Sequence, residues 1–455
     1  MDKYMFPYLP HTDEDISEML KQVGIHSVDD LFADIPEDVK LKKPLNIPGG
    51  ATEYEVSKEI SALSKKNITE YISFMGCGSY DHIIPSVVKH IISRSEFYTS
   101  YTPYQAEFSQ GFLQAIFEFQ TMICELTSLD VSNASLYDGH TAACEAAVVA
   151  LNSVRKSDCI LYSETIHPFT KQVLRTHFSS MGISLREIKQ QEGITSYKDL
   201  KSKLNPGIAG VIVQTPNFMG YLEDYTGFAD LIHDNRSLFI ISSNPLSLGS
   251  VKSQGQWGAD VAVGDTQPLG LPSYFGGPSV GYIAATKALL RKMPGRIVGQ
   301  SLDREGRRAF ILTLQAREQH IKRERATSNI CSNQALAALA TTVYLAAVGK
   351  KGLEAVSRQN VQKSHYLFER LTSELPVQGL YEQPFFNEFP IKFNKKPADI
   401  LGGMEKEGVF AGIPLQRFYP DKGELENVIG VAVTEKRTRR ELDNYVEILK
   451  GLCDG

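Results

Sequence analysis

A turn after a short apolar strand offers polar side chains for chemistry but no amine. The stretch GDTQPLGLPSYFGGP covers residues 264–278 and follows the apolar run ADVAV at 259–263. Many α/β enzymes bind ligands where a strand ends in such a turn. Asp265, Thr266 and Gln267 stand in this turn, while the nearest lysines, Lys252 and Lys287, lie well outside it. The turn therefore lacks the nucleophile that a Schiff base requires.

Two other strand-to-helix loops carry groups that suit a cofactor. YDGHTAACEAA at 137–147 turns at Asp138 and Gly139, and its helix is expected to begin near Thr141. The free N–H groups there suit a phosphate, and an ordinary capped turn is the alternative. ETIHPFT places His167 after a strand. Its imidazole either stacks on a flat cofactor ring or simply caps and packs.

A further loop lacks an expected charge. SSNPLSLG at 242–249 presents Asn244 where a cofactor with a pyridine nitrogen usually meets a carboxylate. The loops together have the layout of a domain that binds pyridoxal phosphate (PLP), but two of its charged groups, the lysine and this carboxylate, are absent. A dinucleotide site is less well supported, because GCGSYD at 76–81 lacks a third glycine and follows no clear strand.

These loops require a sheet that aligns the strand ends. Alternating strand-like and helix-like segments predict a mostly parallel, doubly wound sheet, and continuous apolar strands indicate that both its faces are covered. The predicted strands are 133–137, 158–163, 210–215, 238–243, 259–263 and 281–286, and helices are predicted at 141–154 and 169–180.

Helices are also predicted outside this alternation. Residues 13–24 form a short helix that Gly24 ends. Apolar residues at spacings of three and four form one stripe on a helix of about 20 residues: Phe108, Phe112, Ala115, Phe119, Met122 and Leu126. A charged helix is predicted at 305–325, others at 333–349 and after Gly352, and a last one at 436–451.

The pattern divides the chain into three regions. Residues 1–65 are predicted to be a helical arm with a linker, KPLNIPGG at 43–50, and this arm embraces another domain or chain. Residues 66–335 are predicted to form the large α/β domain. Residues 336–455, with their short strands and flanking helices, are predicted to form a smaller α+β domain.

Composition limits the classes of partner. The chain has 455 residues, a net charge of −5 and a pI near 6.1, which argues against binding to nucleic acid or to anionic membranes. The N-terminus has no apolar signal-peptide core, and no apolar run reaches the ~20 residues that span a bilayer. The six cysteines form no CxxC pair, so we expect buried, reduced thiols, no metal site and a cytoplasmic protein.

Two stretches have a composition that is unusual for segments with a purely structural role. SYTPYQAEFSQG at 100–111 surrounds a polar centre with aromatic residues and a proline. The second stretch is REQHIKRERATSNICSNQ at 317–334, in which a basic run precedes a Thr-Ser-Asn turn. We expect this turn to lie at the start of a helix. Such a turn suits an anion, including one held by a neighbouring chain. The alternative for the arginines Arg323 and Arg325 is a solvated helix face.

Several stretches together resemble glycine decarboxylase, the P-protein of the glycine cleavage system, in its N-terminal half, which many bacteria encode as a separate subunit. The resemblance extends from about residue 5 to the end and is carried by YTPYQAEFSQG, NASLYDGHTAACEAA, GDTQPLGLPSYFGGP, MPGRIVG and QAREQHIKRERATSNIC. It implies the fold of type I PLP-dependent enzymes, with a doubly wound α/β domain and a smaller C-terminal α+β domain.

The resemblance also implies a division of labour. It sets Gln267 where the family's second half has its PLP lysine, and Asn244 at the expected aspartate position. PLP is thus expected on the partner, subunit 2, in an α2β2 complex. That complex decarboxylates glycine and passes the aminomethyl group to the lipoyl arm of the H-protein. This chain keeps only a vestigial cofactor pocket, formed by Gly139, His140, Thr141 and His167.

In type I PLP folds, loops of one chain complete the active site of the other. We therefore expect this chain to supply wall and anion-binding groups to its partner: Tyr101, Thr102, Tyr104, Gln105, Thr327, Ser328 and Asn329. Two alternatives remain. One is a purely structural subunit that contributes nothing to the pocket, and the other is an independent PLP enzyme with a displaced lysine.

Overall fold

The computed structural model describes residues 8, 10–43 and 45–454. This part of the chain divides into two compact units, one ending at Thr69 and the other beginning at Glu70. Residues 1–7, 9 and 44, which belong to the predicted arm and linker, lie outside the described residues, as does residue 455. The predicted domain boundaries after residues 65 and 335 stay predictions.

The first unit holds two α-helices, α1 (Asp13–Val23) and α2 (Glu53–Ser64). Thr12 caps the start of α1, and Gly24, at φ 81°, ends it as predicted. Within the described residues up to Thr69, no side chain is buried. Apolar residues such as Met19 and Leu31 are exposed in this unit, so its described residues form no hydrophobic core of their own.

The second unit contains the remaining elements. Its helices are α3 (Ser86–Ile92), α4 (Ser95–Tyr98), α5 (Gln110–Thr127), α6 (Gly139–Ser153), α7 (Pro168–Phe178), α8 (Tyr197–Lys203), α9 (Phe228–Asp234), α10 (Gln319–Lys322), α11 (Ala335–Glu374), α12 (Pro397–Lys406) and α13 (Arg439–Asp454). Its strands are β1 (Ile72–Ser73), β2 (Val131–Ser132), β3 (Cys159–Ser163), β4 (Ser184–Ile188), β5 (Gln190–Gln191), β6 (Ile194–Thr195), β7 (Ile208–Gln214), β8 (Leu238–Ser242), β9 (Val261–Asp265), β10 (Gly281–Ala285), β11 (Ile297–Leu302), β12 (Arg308–Thr313), β13 (Gln378–Gly379), β14 (Glu388–Lys392), β15 (Val409–Phe410), β16 (Ile413–Pro414) and β17 (Val428–Ala432).

A seven-stranded sheet forms the centre of this unit, in the order β2-β10-β9-β8-β7-β3-β4. Strands β9, β8, β7, β3 and β4 are parallel, and β10 runs antiparallel to both of its neighbours. All five residues of β3 and of β10 are buried, because helices cover both faces of the sheet. The prediction of a doubly wound, mostly parallel α/β sheet is confirmed, and five of the six predicted strands lie within two residues of their expected positions.

The sixth predicted strand, 133–137, is wrong. The strand contains only Val131 and Ser132, and the chain then becomes irregular, apart from an isolated antiparallel bridge between Leu136 and Gly281. Ser135 takes a φ of 129°, and its N–H donates to the side chain of Asn133, 3.2 Å away. This local bond competes with ladder pairing, as asparagine side chains often do in turns.

The predicted charged helix over 305–325 is also wrong. Residues 297–302 and 308–313 instead form the antiparallel hairpin β11–β12, which turns at Gly306 with a φ of 79°. Two glutamines of α5 hold the hairpin: Gln110 pairs with the backbone of Phe310, and Gln120 pairs with the backbone of Val298. Tertiary pairing thus overrides the helix propensity of the segment.

Helix α5 buries a different stripe from the predicted one. Phe112 and Phe119 are buried as expected, but Phe108 lies before the helix and is 88% exposed. Leu113, Ile116 and Ile123 are buried instead. The helix packs against α11 as well as against the strands, so more than one side of it is covered.

The C-terminal elements agree with the sequence pattern. Helix α11 joins the two helices that were predicted around Gly349, where the backbone leaves helical geometry at φ 61°. Strands β13, β14, β17 and β16 form an antiparallel sheet. The expectation of buried cysteines holds for three of them, but Cys331 is exposed, and Cys124 and Cys453 are half-buried.

Candidate functional site

The turn after β9 is organised by a carboxylate. Oδ1 of Asp265 accepts a hydrogen bond from the N–H of Gln267 at 2.8 Å. Oδ2 accepts one from the N–H of Gly139 at 2.9 Å and another from the hydroxyl of Ser279. Asp265 therefore joins the two ends of the turn to the first residue of α6.

Two carboxylates already accept hydrogen bonds from the N–H groups at the start of α6. Oδ1 of Asp138 accepts from the N–H of Thr141 at 2.7 Å, while Asp265 takes the N–H of Gly139. The helix begins at Gly139 rather than near Thr141. The N-terminus of a helix attracts anions through its free N–H groups and its dipole, but here two carboxylates fill that role. The capped-turn alternative fits this geometry better than a phosphate site.

Gln267 and Asn244, which were predicted to stand in place of charged groups, each form a local hydrogen bond. Gln267 is 8% exposed, and its side-chain amide donates to the carbonyl of Leu271. Oδ1 of Asn244 accepts from the N–H of Leu246 at 3.0 Å, which closes a small turn. Each side chain thus stabilises its own loop, and neither places a charge in the site.

The two histidines of the predicted vestigial pocket lie in contact. The rings of His140 and His167 lie 4.5 Å apart. His167 caps α7, because its Nδ1 accepts from the N–H of Phe169, and its Nε2 donates to the carbonyl of Cys77 at 3.0 Å. Burial lowers the pKa of His167 to about 3 and also lowers the pKa of His140. Both rings are therefore neutral near pH 7, and His167 caps and packs instead of presenting a free face.

A buried acid that the sequence analysis missed lies beside this pair. Oε1 of Glu388 accepts from the N–H of Cys77 at 2.7 Å, and Oε2 accepts from the hydroxyl of Tyr80 at 2.8 Å. Burial raises the pKa of Glu388. A Cβ at Gly76 would lie 2.4 Å from Oε1 of Glu388, so the first glycine of GCGSYD permits this approach. In the sequence, this buried acid could have been found from its position within the apolar run FFNEF at 385–389.

The predicted partner-facing residues lie in two segments. In the first, Tyr101 is 79% exposed and Tyr104 is 55% exposed, Gln105 is exposed and Thr102 is half-buried. In the second, Thr327 and Asn329 are exposed and Ser328 is half-buried. The second segment does not start a helix as predicted, because α11 begins only at Ala335.

The structure brings these two segments together at one buried side chain, Arg296. The same nitrogen of its guanidinium donates to the hydroxyl of Tyr104 at 3.1 Å and to the carbonyl of Cys331 at 2.9 Å. The surrounding motif, MPGRIVG, carries part of the resemblance, but its arginine was not among the predicted site residues.

The described residues contain neither a metal-binding cluster nor a membrane-spanning helix. No group of three or more His, Cys, Asp or Glu side chains in this part of the chain is placed to hold a metal ion. Among the helices described, none is long and apolar enough to cross a membrane.

The chain resembles known proteins over nearly its whole length. The family model described as glycine cleavage system P-protein matches residues 7–449. A relative in Carboxydothermus hydrogenoformans, named probable glycine dehydrogenase (decarboxylating) subunit 1, is 51% identical over 98% of this chain and 99% of its own length. A crystal structure of glycine decarboxylase (P-protein) in inhibitor-bound form matches with a TM-score of 0.88 and 41% identity, covering 98% of this chain and all of that one.

A more distant structure is informative about the fold alone. The apo cysteine desulfurase of Thermococcus onnurineus NA1 matches with a TM-score of 0.63 and 15% identity, covering 90% of this chain and 100% of its own. The shared architecture is that of type I PLP-dependent enzymes, as the resemblance to glycine decarboxylase implied.

Proposed function

Because this chain belongs to the glycine cleavage system P-protein family, we propose that it is the first of two subunits of glycine dehydrogenase (decarboxylating). Together with subunit 2 it decarboxylates glycine and passes the aminomethyl group to the lipoyl arm of the H-protein. The assembly we propose contains two copies of each subunit. The name of its relatives, subunit 1, supports the existence of a partner subunit.

The residues at the strand ends of this chain do not fit a covalently held PLP. The turn offers the amide of Gln267 in place of an amine, and this amide is bound to the carbonyl of Leu271. The carboxylates of Asp138 and Asp265 already bind the helix N–H groups that a phosphate would need. Asn244 brings no charge for a pyridine nitrogen. These contacts support placing the cofactor on subunit 2.

The single observation that carries the proposal is the amide at position 267. It removes the Schiff-base nucleophile from a fold that otherwise has the layout of a PLP enzyme. The independent PLP enzyme is the alternative that this observation disfavours most directly, because Lys252 and Lys287, the nearest lysines in sequence, are exposed.

We further propose that this chain contributes to the partner's pocket through residues 101–105 and 327–329. Exposed aromatic and hydroxyl side chains supply walls and hydrogen bonds at interfaces. Tyr101 and Thr327 are exposed, although the segments around them are anchored to the unit by Arg296.

Reconstitution tests the proposal. Each subunit is purified alone, and exchange of labelled bicarbonate into glycine is measured with this chain, with subunit 2 and with both, in the presence of H-protein. We expect exchange only when both subunits are present, and we expect them to co-purify. An isolated chain that is yellow, loses its absorbance with borohydride and exchanges carbon dioxide on its own would show that it is an independent enzyme.

A further inference from the structure

Arg296 lies buried between the two segments that we propose to face subunit 2. It precedes β11 and is 4% exposed. Its own carbonyl accepts from the N–H of Ala134 at 2.8 Å, so its backbone is fixed to the chain that leaves β2. An arginine is costly to bury unless its charge and its donors are compensated, and the partners of this one indicate what it does.

On one side the guanidinium holds the first segment. It donates to the hydroxyl of Tyr104 at 3.1 Å and lies 5.3 Å from the centre of the same ring. The hydrogen bond and the cation–π contact act on different parts of the side chain, so together they fix both its position and its tilt. Tyr104 also contacts the ring of His320 in an edge arrangement, with centroids 6.1 Å apart, and it is still 55% exposed, so part of its surface is available to a partner.

On the other side the guanidinium holds the chain that follows the Thr327–Asn329 turn. It donates to the carbonyl of Cys331 at 2.9 Å and to the side-chain oxygen of Asn333 at 3.3 Å. The side-chain amide nitrogen of Asn333 donates in turn to the carbonyl of Ala134. The second segment is therefore tied to the same arginine and, through it, to the edge of the central sheet.

The positive charge of Arg296 is only weakly compensated by its surroundings. Its Nε has no hydrogen-bond partner among the described residues, and the nearest carboxylate, that of Glu318, is 3.8 Å away and itself 9% exposed. A lysine would provide a single point charge and could not reach Tyr104, Cys331 and Asn333 at once. The planar fork of arginine can, so this position requires an arginine rather than any cation.

We propose that Arg296 is a positioning residue that holds residues 100–108 and 327–334 as one surface presented to subunit 2. This inference rests on the proposed function, because that function assigns residues 101–105 and 327–329, which lie within these two segments, to the partner's pocket. Arg296 itself does not reach the reacting atoms. It acts through Tyr104 and through the turn at Thr327–Asn329.

Hydrogen exchange tests the mechanical link without any measurement of activity. Arg296→Lys in the full chain is expected to speed exchange about tenfold or more in both segments, as measured by mass spectrometry, since hydrogen bonds to a charged group are lost. The N–H groups of Tyr104, Cys331 and Gln334, which bond to Thr102, Tyr137 and Ser135, are the reporters. Tyr104→Phe, which removes one bond only, is expected to affect the first segment alone.

Arg437→Lys is the matched control. Arg437 is 5% exposed and pairs with Asp81 and Glu441 away from both segments, and its Nε likewise has no hydrogen-bond partner in the part of the chain that the structure describes. It is expected to leave exchange in the two segments unchanged. Faster exchange in only one segment, or in neither, after Arg296→Lys would overturn the inference whatever happens to activity.

A double-mutant cycle in the complex with subunit 2 tests the use of this link. Arg296→Lys and Tyr104→Phe are each expected to slow glycine–bicarbonate exchange, Arg296→Lys by about tenfold. The double variant is expected to lose less activity than the product of the two single effects, because the two residues share one contact. Additive effects would overturn the positioning role. Faster hydrogen exchange in both segments with unchanged catalysis in every variant would instead contradict the proposed contribution of the segments to the partner's pocket.

Discussion

The carboxylate of Asp265 accepts a 2.9 Å hydrogen bond from the backbone N–H of Gly139, so the last residue of one central strand closes the start of the helix that follows another. A Cβ at Gly139 would lie 3.1 Å from the Gly264 carbonyl carbon and from the Asp265 Cβ, which shows how closely the two chains approach. This bond places an internal anion where the fold would otherwise present N–H groups to a phosphate.

Removal of the Asp265 carboxylate is expected to destabilise the chain. Asp265→Ala leaves the N–H groups of Gly139 and Gln267 without their acceptor, which costs about 2–3 kcal/mol. Urea denaturation measures the change in the free energy of unfolding. Asp224→Ala is the control, because the Asp224 carboxylate bonds only to exposed Thr226, and its removal is expected to cost about 0.5 kcal/mol or less. Equal losses in the two variants would contradict the structural role of Asp265.

Restoring the lysine is not expected to restore a PLP site. Gln267→Lys supplies an amine, but Asp138 and Asp265 still occupy the helix N–H groups and Asn244 still lacks charge. After incubation with PLP and borohydride, mass spectrometry should find no stoichiometric adduct at position 267. Gln267→Met controls for the loss of the amide bond to Leu271. A stoichiometric adduct together with exchange activity would mean that this site retains more function than proposed.

Glu145 is expected to make stability depend on pH. It is 5% exposed in α6, and burial raises its pKa to about 7, while the hydroxyl of Ser328 opposes this shift. The folded state therefore holds a proton that the unfolded state releases at lower pH, so this group's contribution to stability falls as the pH rises from about 4.5 to about 7 and is constant above that.

Glu145→Gln removes this dependence. The variant should gain stability over the unmodified chain as the pH rises from 5 to 8, by at most about 3 kcal/mol, which follows from 1.36 kcal/mol per pKa unit. Urea denaturation at several pH values gives the difference. Oε2 of Glu145 has no hydrogen-bond partner among the described residues, so the amide replaces no bond at that atom. A difference that does not change with pH would show that Glu145 ionises as an exposed acid does.

Alanine substitutions in the two partner-facing segments separate the proposed contribution from a purely structural subunit. The positions are Tyr101, Thr102, Tyr104, Gln105, Thr327, Ser328 and Asn329. At least some variants should lower glycine–bicarbonate exchange by about tenfold, the effect of losing one hydrogen bond or contact of about 1.4 kcal/mol in the transition state, while still co-purifying with subunit 2. Tyr98→Ala, at another exposed aromatic, is the control. Unchanged kinetics in the whole series would favour the structural alternative.

The sequence by itself determined the architecture and the missing amine. Apolar strands of the right length alternate with helices, and that alternation allows few arrangements other than a covered parallel sheet. The identity of residue 267 needs no structure, because a glutamine cannot form a Schiff base wherever its side chain points. The same holds for Asn244, which carries no charge in any environment.

Only the tertiary structure decided what occupies the start of α6 and what joins the segments at 100–108 and 327–334. Asp265 and Gly139 are 126 residues apart, and Arg296 and Tyr104 are 192 apart, so no local pattern predicts either bond. The hairpin β11–β12 escaped prediction for the same reason: its charged residues favour a helix locally, and the glutamines of α5 that pair with it lie far away in the chain. Long-range hydrogen bonds form only after the sheet has brought these residues together.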